Sequence, residues 1–142
     1  MGNLSAFLSE NALKVENIKY VASKRFVDAN GNPIEWEIAC ITSEEDEKLR
    51  EACTKKVRVP NKKSQYTQET DYNLYLGKLA SRCTAFPNLN DAELQNSYGV
   101  MGADALLKTM LLPGEYADYL AKIQEVNGFD VTFDEKVDEI KN

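Results

Sequence analysis

Apolar residues along this 142-residue chain recur with two periods, and the change from one to the other separates a β part from a helical part. Near the start, Leu4, Phe7 and Leu8 share one side of a short amphipathic helix expected over Asn3 to Glu10. From Val15 the period is two. Ile18, Tyr20, Ala22 and Phe26 alternate with Lys19, Ser23 and Lys24, and Ile34, Trp36, Ile38 and Cys40 alternate with Glu35, Glu37 and Ala39. Between the two runs, Asp28-Ala29-Asn30-Gly31-Asn32-Pro33 carries an Asn-Gly step suited to positive φ, so the pair is expected to form a hairpin. Trp36 is the expected anchor of its buried face.

Beyond Cys40 the spacing turns helical. Thr42 or Ser43 is placed to cap a helix with Glu44, Glu45 and Asp46 in its first turn and Lys55 and Lys56 in its last, the charge order that the helix dipole favours. Leu49, Cys53 and Val57 would face inward. Arg58 to Glu69, polar and broken by Pro60, is expected to be a loop. A further helix is expected from Asp71 to Cys83, with Tyr72, Leu76, Leu79 and Cys83 inward and Pro87 ending any continuation. Asn90 is the expected N-cap of the next helix, with Glu93 as its capping-box partner and Leu89 and Leu94 as a hydrophobic staple. That helix should end near Gly99.

The segment Met110 to Phe129, MLLPGEYADYLAKIQEVNGF, holds a helix start, an apolar face and a helix stop. Pro113 suits the first helical position and Glu115 the positive end of the dipole. Tyr116, Leu120, Ile123 and Asn127, with Tyr119 and Val126 beside them, form the stripe, and Gly128 supplies the stop. Ala105, Leu106, Met110 and Leu111 precede it, so Leu112-Pro113-Gly114 is expected to be the corner of a helix pair.

The balance of 43% hydrophobic and 28% charged residues fits one globular domain. No apolar run approaches the ~20 residues of a membrane span. The first residues lack a basic leader followed by an apolar core, so the protein is expected to be cytoplasmic. Cys40, Cys53 and Cys83 are odd in number and contain no CxxC pair, which favours buried thiols over a disulfide framework.

Histidine is absent, which removes the commonest general base and the commonest nitrogen ligand for zinc. Asp28, Asn30 and Asn32 imitate the first ligands of a calcium loop, but Pro33 stands where glycine is needed and Ala39 where the bidentate carboxylate belongs. No catalytic residue, cofactor or metal site is therefore expected. The net charge of −6 is unevenly spread: residues 43–68 carry seven basic and five acidic groups, and residues 69–142 six and thirteen. Lys55, Lys56, Arg58, Lys62 and Lys63, followed by Tyr66, form a basic cluster that could serve nucleic acid, while the acidic remainder argues against a phosphate-binding role.

The Met110 to Phe129 block, together with Asn90 to Gly102 (NDAELQNSYGVMG) upstream and Ser23-Lys24-Arg25-Phe26 near the start, resembles the XkdN-like family of phage tail assembly chaperones, encoded by phages and defective prophages of Gram-positive bacteria. The resemblance spans roughly Leu4 to Asp130. It implies a non-enzymatic protein of the bacterial host cell that engages the tape measure protein, with tail tube subunits as further candidates, while a long tail is built. The alternative is a prophage regulatory protein that binds nucleic acid through the basic loop.

Together these readings predict a single α+β domain over residues 1–128, a β-hairpin packed on a mainly helical part that ends in a helix pair, and an acidic tail over 129–142. A lone hairpin is marginal in water, so helices must cover it or a second copy must pair with it, which leaves a homo-oligomer open. Leu112, Tyr116 and Tyr119, flanking the Pro113 corner, are the candidate partner-binding residues, since tyrosine is enriched in contact surfaces and not all of them need face inward.

Overall fold

In the computed structural model, which describes residues 2–129, the expected alternation produces the first hairpin. The acidic tail beyond Phe129 lies outside the described residues. A short helix α1 (Gly2–Ser5) opens the chain, half the length expected; local turns follow it, and Leu4, Phe7 and Leu8 are exposed, so no core face holds a longer helix. Strands β1 (Ile18–Tyr20) and β2 (Trp36–Ile38) pair antiparallel with Tyr20 opposite Trp36 and Ile18 opposite Ile38. The turn region between them is closed by Asp28, whose Oδ1 accepts the N–H groups of Asn30 at 2.8 Å and Asn32 at 3.0 Å, with Gly31 at φ 82°. That carboxylate already has its donors.

Helix α2 (Ser43–Ala52) starts at Thr42, whose Oγ1 accepts the Glu45 N–H at 3.2 Å. It stops before Lys55 and Lys56, which instead enter strand β3 (Thr54–Arg58); this pairs with strand β4 (Tyr66–Thr70) from Thr54–Thr70 to Arg58–Tyr66. The expected loop over Arg58 to Glu69 is thus the tip and return strand of a second hairpin. Threonine, valine and tyrosine in these runs favour a pleated backbone over a last helical turn.

Helix α3 (Tyr72–Cys83) is capped by Asp71, whose Oδ1 accepts from the Leu74 N–H at 3.1 Å. It buries Tyr75, Leu79, Ala80 and Cys83, whereas Tyr72, expected inward, is exposed. Tyr75 instead turns in, and its hydroxyl donates to Asp46 Oδ1 of α2. Directly after the helix, β5 (Thr84–Phe86) adds to the free side of β2, giving the sheet order β1-β2-β5. Nothing in the alternation announced this third strand.

Helix α4 (Ala92–Ser97) begins one residue later than expected: Asp91, not Asn90, accepts the Leu94 N–H, at 2.9 Å. The Asn90 N–H is itself held by Asn88 Oδ1 in a turn, and Leu89 drops into the core. Helices α5 (Ala103–Met110) and α6 (Pro113–Val126) form the expected pair, and the chain leaves α6 through Asn127 and Gly128, the latter at φ 87°.

The core lies where the sheet meets α3, α5 and α6. Trp36 is 1% exposed and meets Tyr119 edge-on at 5.4 Å and Phe26 at 6.3 Å between ring centroids. Ile38, Leu79, Leu106, Leu107 and Ile123 fill the space around it. Asn127 fastens this arrangement: its Oδ1 accepts the Ile41 N–H at 3.0 Å, and its Nδ2 donates to Ile123 O at 2.9 Å and toward Cys83 Sγ at 3.4 Å. The architecture is α+β, the hairpin covered by helices as its apolar face requires.

Candidate partner-binding surface

The Pro113 corner is built by a side chain from far upstream. Arg25 donates from its guanidinium to Met110 O, the last turn of α5, while packing over the Phe26 ring at 5.3 Å. The Ser23–Phe26 block is thereby explained: it places a cation where the carbonyls of a helix end need a donor. On the far side of the corner, Glu115 Oε1 accepts the Leu112 N–H at 2.9 Å. That backbone N–H, aided by Arg25, holds the Glu115 carboxyl below the usual carboxylate range.

The three candidate residues fall at three depths. Leu112 is 53% exposed, while Leu111 before it is buried. Tyr116 is half-buried above Gly77; a Cβ at position 77 would lie 3.1 Å from the Tyr116 hydroxyl, so the glycine permits this approach. That hydroxyl is buried without a hydrogen-bond partner among the described residues. Tyr119 is 0% exposed, and its hydroxyl lies 2.6 Å from Thr84 Oγ1, whose own proton goes to Ala80 O. Burial pushes its pKa upward. Tyr119 is therefore core and leaves the set of surface candidates: it flanks the corner in sequence, but the position beside the apolar stripe turns into the buried face of α6.

A second apolar surface lies at the start of the chain. Residues 4–18 are exposed throughout, and Phe7 at 78%, Leu13 at 96%, Leu4 and Val15 turn their side chains to solvent just ahead of the edge strand β1. Apolar side chains concentrated in one exposed segment mark a contact surface.

The thiols are packed, as the sequence suggested. Cys53 and Cys83 are buried, burial pushing the Cys83 pKa up to about 11, and the Cys40 thiol donates to Val126 O at 3.2 Å. Among the described residues no group of three or more Cys, Asp or Glu side chains is arranged to hold a metal ion. No helix among them is long and apolar enough to cross a membrane.

Comparison with known proteins sets this surface in context. The family model described as the phage XkdN-like tail assembly chaperone protein matches residues 4–141. The chain is 30% identical over 141 residues to the phage-like element PBSX protein XkdN of Bacillus subtilis (strain 168), covering 99% of this chain and 94% of that protein. It is equally 30% identical over 141 residues to the uncharacterized protein YqbN of the same strain, covering 99% and 93%. The crystal structure of YqbN superposes with a TM-score of 0.75 at 28% identity, over 89% of this chain and 96% of that one.

Proposed function

Because the chain belongs to the phage XkdN-like tail assembly chaperone family, we propose that it binds the tape measure protein in the host cytoplasm and shields its apolar surface until the tail tube encloses it. The match of that family's model to residues 4–141 carries this reading. The surface chemistry is in keeping with it: an exposed leucine at a rigid helix corner and an apolar arm ahead of β1 suit a partner that presents amphipathic helices. Tail tube subunits are secondary candidates as partners.

Co-purification of the full chain with a phage tape measure protein tests the proposal. A stable complex is the expected outcome, and Leu112→Asp should abolish it while leaving the circular dichroism melt unchanged, since a charge in a desolvated contact costs far more than one in water. Capture of tube subunits without the tape measure protein would overturn the assignment of partner. Wild-type binding by folded Leu112→Asp would move the contact away from the corner.

A further inference from the structure

Strand β1 is the outer member of its sheet, and the order β1-β2-β5 leaves its far side without a neighbour among the described residues. Such an edge presents N–H and C=O groups that can pair with another strand. The segment that leads into it is bare as well. Residues 4–19 are exposed, and among the described residues no backbone hydrogen bond involves residues 13–16.

Tyr20 fixes which face of β1 turns inward, its ring stacking on Tyr119 at 6.0 Å between centroids. By the two-residue alternation, a β1 carried back through residues 13–17 sets Leu13, Val15, Asn17 and Lys19 on the outer face and Lys14, Glu16 and Ile18 on the inner. Leu13 and Val15 have no cover from their own chain, and neither Lys14 nor Glu16 has an ion-pair partner among the described residues.

Pairing this edge antiparallel with a second copy, helices on the same side of both sheets, requires a two-fold axis at a residue that faces its own copy. The charges choose among the possible centres. Centred on Lys14 or Glu16, like charges stand opposite each other, and centred on Leu13, Glu16 meets Glu10; each arrangement is destabilising. Centred on Asn17, Glu16 faces Ile18 and Lys14 faces Tyr20. Centred on Val15, the two valines meet, and Lys14 of each copy stands opposite Glu16 of the other, with Leu13 opposite Asn17 and Ala12 opposite Ile18. Of the centres from Leu13 to Asn17, this one alone pairs the charges.

We propose that two copies of this chain pair antiparallel along residues 12–18, centred on Val15, and join their β1 edges into one continuous sheet. The contact is isologous and closes at two copies, since each edge is then used up. Leu4, Phe7 and Leu8 lie outside the seam and stay available to a tail partner, to which the dimer presents two Pro113 corners.

The test is sedimentation of the full chain across a dilution series. A species of twice 16.0 kDa should form at the upper concentrations. Lys14→Glu and Glu16→Lys should each weaken the dimer about tenfold, because each sets like charges opposite at two symmetric places, while the circular dichroism melts stay unchanged at these exposed positions. Mixed in equal parts, the two variants should dimerise as tightly as wild type, since each supplies the charge that the other lacks. Copper phenanthroline should join Val15→Cys copies to one another far faster than Leu13→Cys copies, which face Asn17 and not each other. A mass of 16.0 kDa at every concentration would overturn the proposal, as would a dimer that survives both single reversals or fails to form from the mixture. A monomer that loses tape measure binding on Lys14→Glu would also overturn it and give the arm to that partner.

Discussion

Trp36 shows how far one side chain can be followed from sequence to energy. Its place in a strict alternation marked it as the inward anchor, and it is enclosed by Tyr119, Phe26 and the strand neighbours. Trp36→Ala should cost ~3–5 kcal/mol in chemical denaturation, and the native protein should show blue-shifted tryptophan emission. A red, water-like spectrum would contradict this packing. Helix caps are harder to place. Asn90 and Asp91 are both good cap residues, and spacing to Glu93 favours Asn90, but the turn from Asn88 uses the Asn90 backbone and leaves the cap to Asp91. Asp91→Ala should therefore lower stability by ~1 kcal/mol, with Asn90→Ala nearly neutral in the same denaturation experiment. Tyr72 and Tyr75 changed places for a similar reason: both fit a helical stripe, and only the Asp46 carboxylate of α2, invisible in the local pattern, selects Tyr75.

At the scale of elements, those with strong local signals were legible and those that depend on a distant partner were not. The first hairpin has an alternation and an Asn-Gly turn; α6 has Pro113 at its start and Gly128 at its stop. By contrast β5 is three residues long and exists because β2 has a free side to pair. Strand β3 is rich in lysine and sits where a helix end was expected, and only its ladder with β4 settles its conformation. The candidate site was legible to the same extent. Proline marked the corner and Leu112, but the depth of each tyrosine is set by Gly77 and Thr84 on other elements. The corner also carries a pH dependence. The Glu115 carboxyl is held low in the folded state, so its charge contributes stability above the ordinary carboxylate range and loses it as pH falls through the folded pKa. Glu115→Gln should thus melt below wild type at pH 7, and the two melting temperatures should converge below about pH 4.

For the whole molecule, the phenols set an alkaline limit. Burial raises Tyr75 to about 12, its hydrogen bond to Asp46 adding to the effect, and burial likewise raises Tyr20, Tyr116 and Tyr119. A raised folded pKa means that the stabilisation is complete below the unfolded value near 10 and is lost as pH climbs through the folded values. Denaturation midpoints should begin to fall above about pH 8.5, where the unfolded chain ionises the thiol that burial keeps protonated at Cys83, and fall more steeply between pH 10 and 12 as the phenols add to it. Tyr75→Phe, having one fewer such proton, should show a shallower fall.

The Asn127 clasp bears on the order in which the molecule can be made. Its amide joins the exit of β2 at Ile41, the end of α3 at Cys83 and the last turn of α6. Synthesis delivers the first hairpin early, but the residue that fastens it arrives 86 positions after Ile41. A nascent chain halted at Gly114 would hold both strands of that hairpin and lack Tyr119, Ile123 and Asn127, so Trp36 would be missing the ring that meets it edge-on and the core its α6 side. Protease resistance should then appear on the ribosome in one late step, once α6 has emerged, and not build up strand by strand.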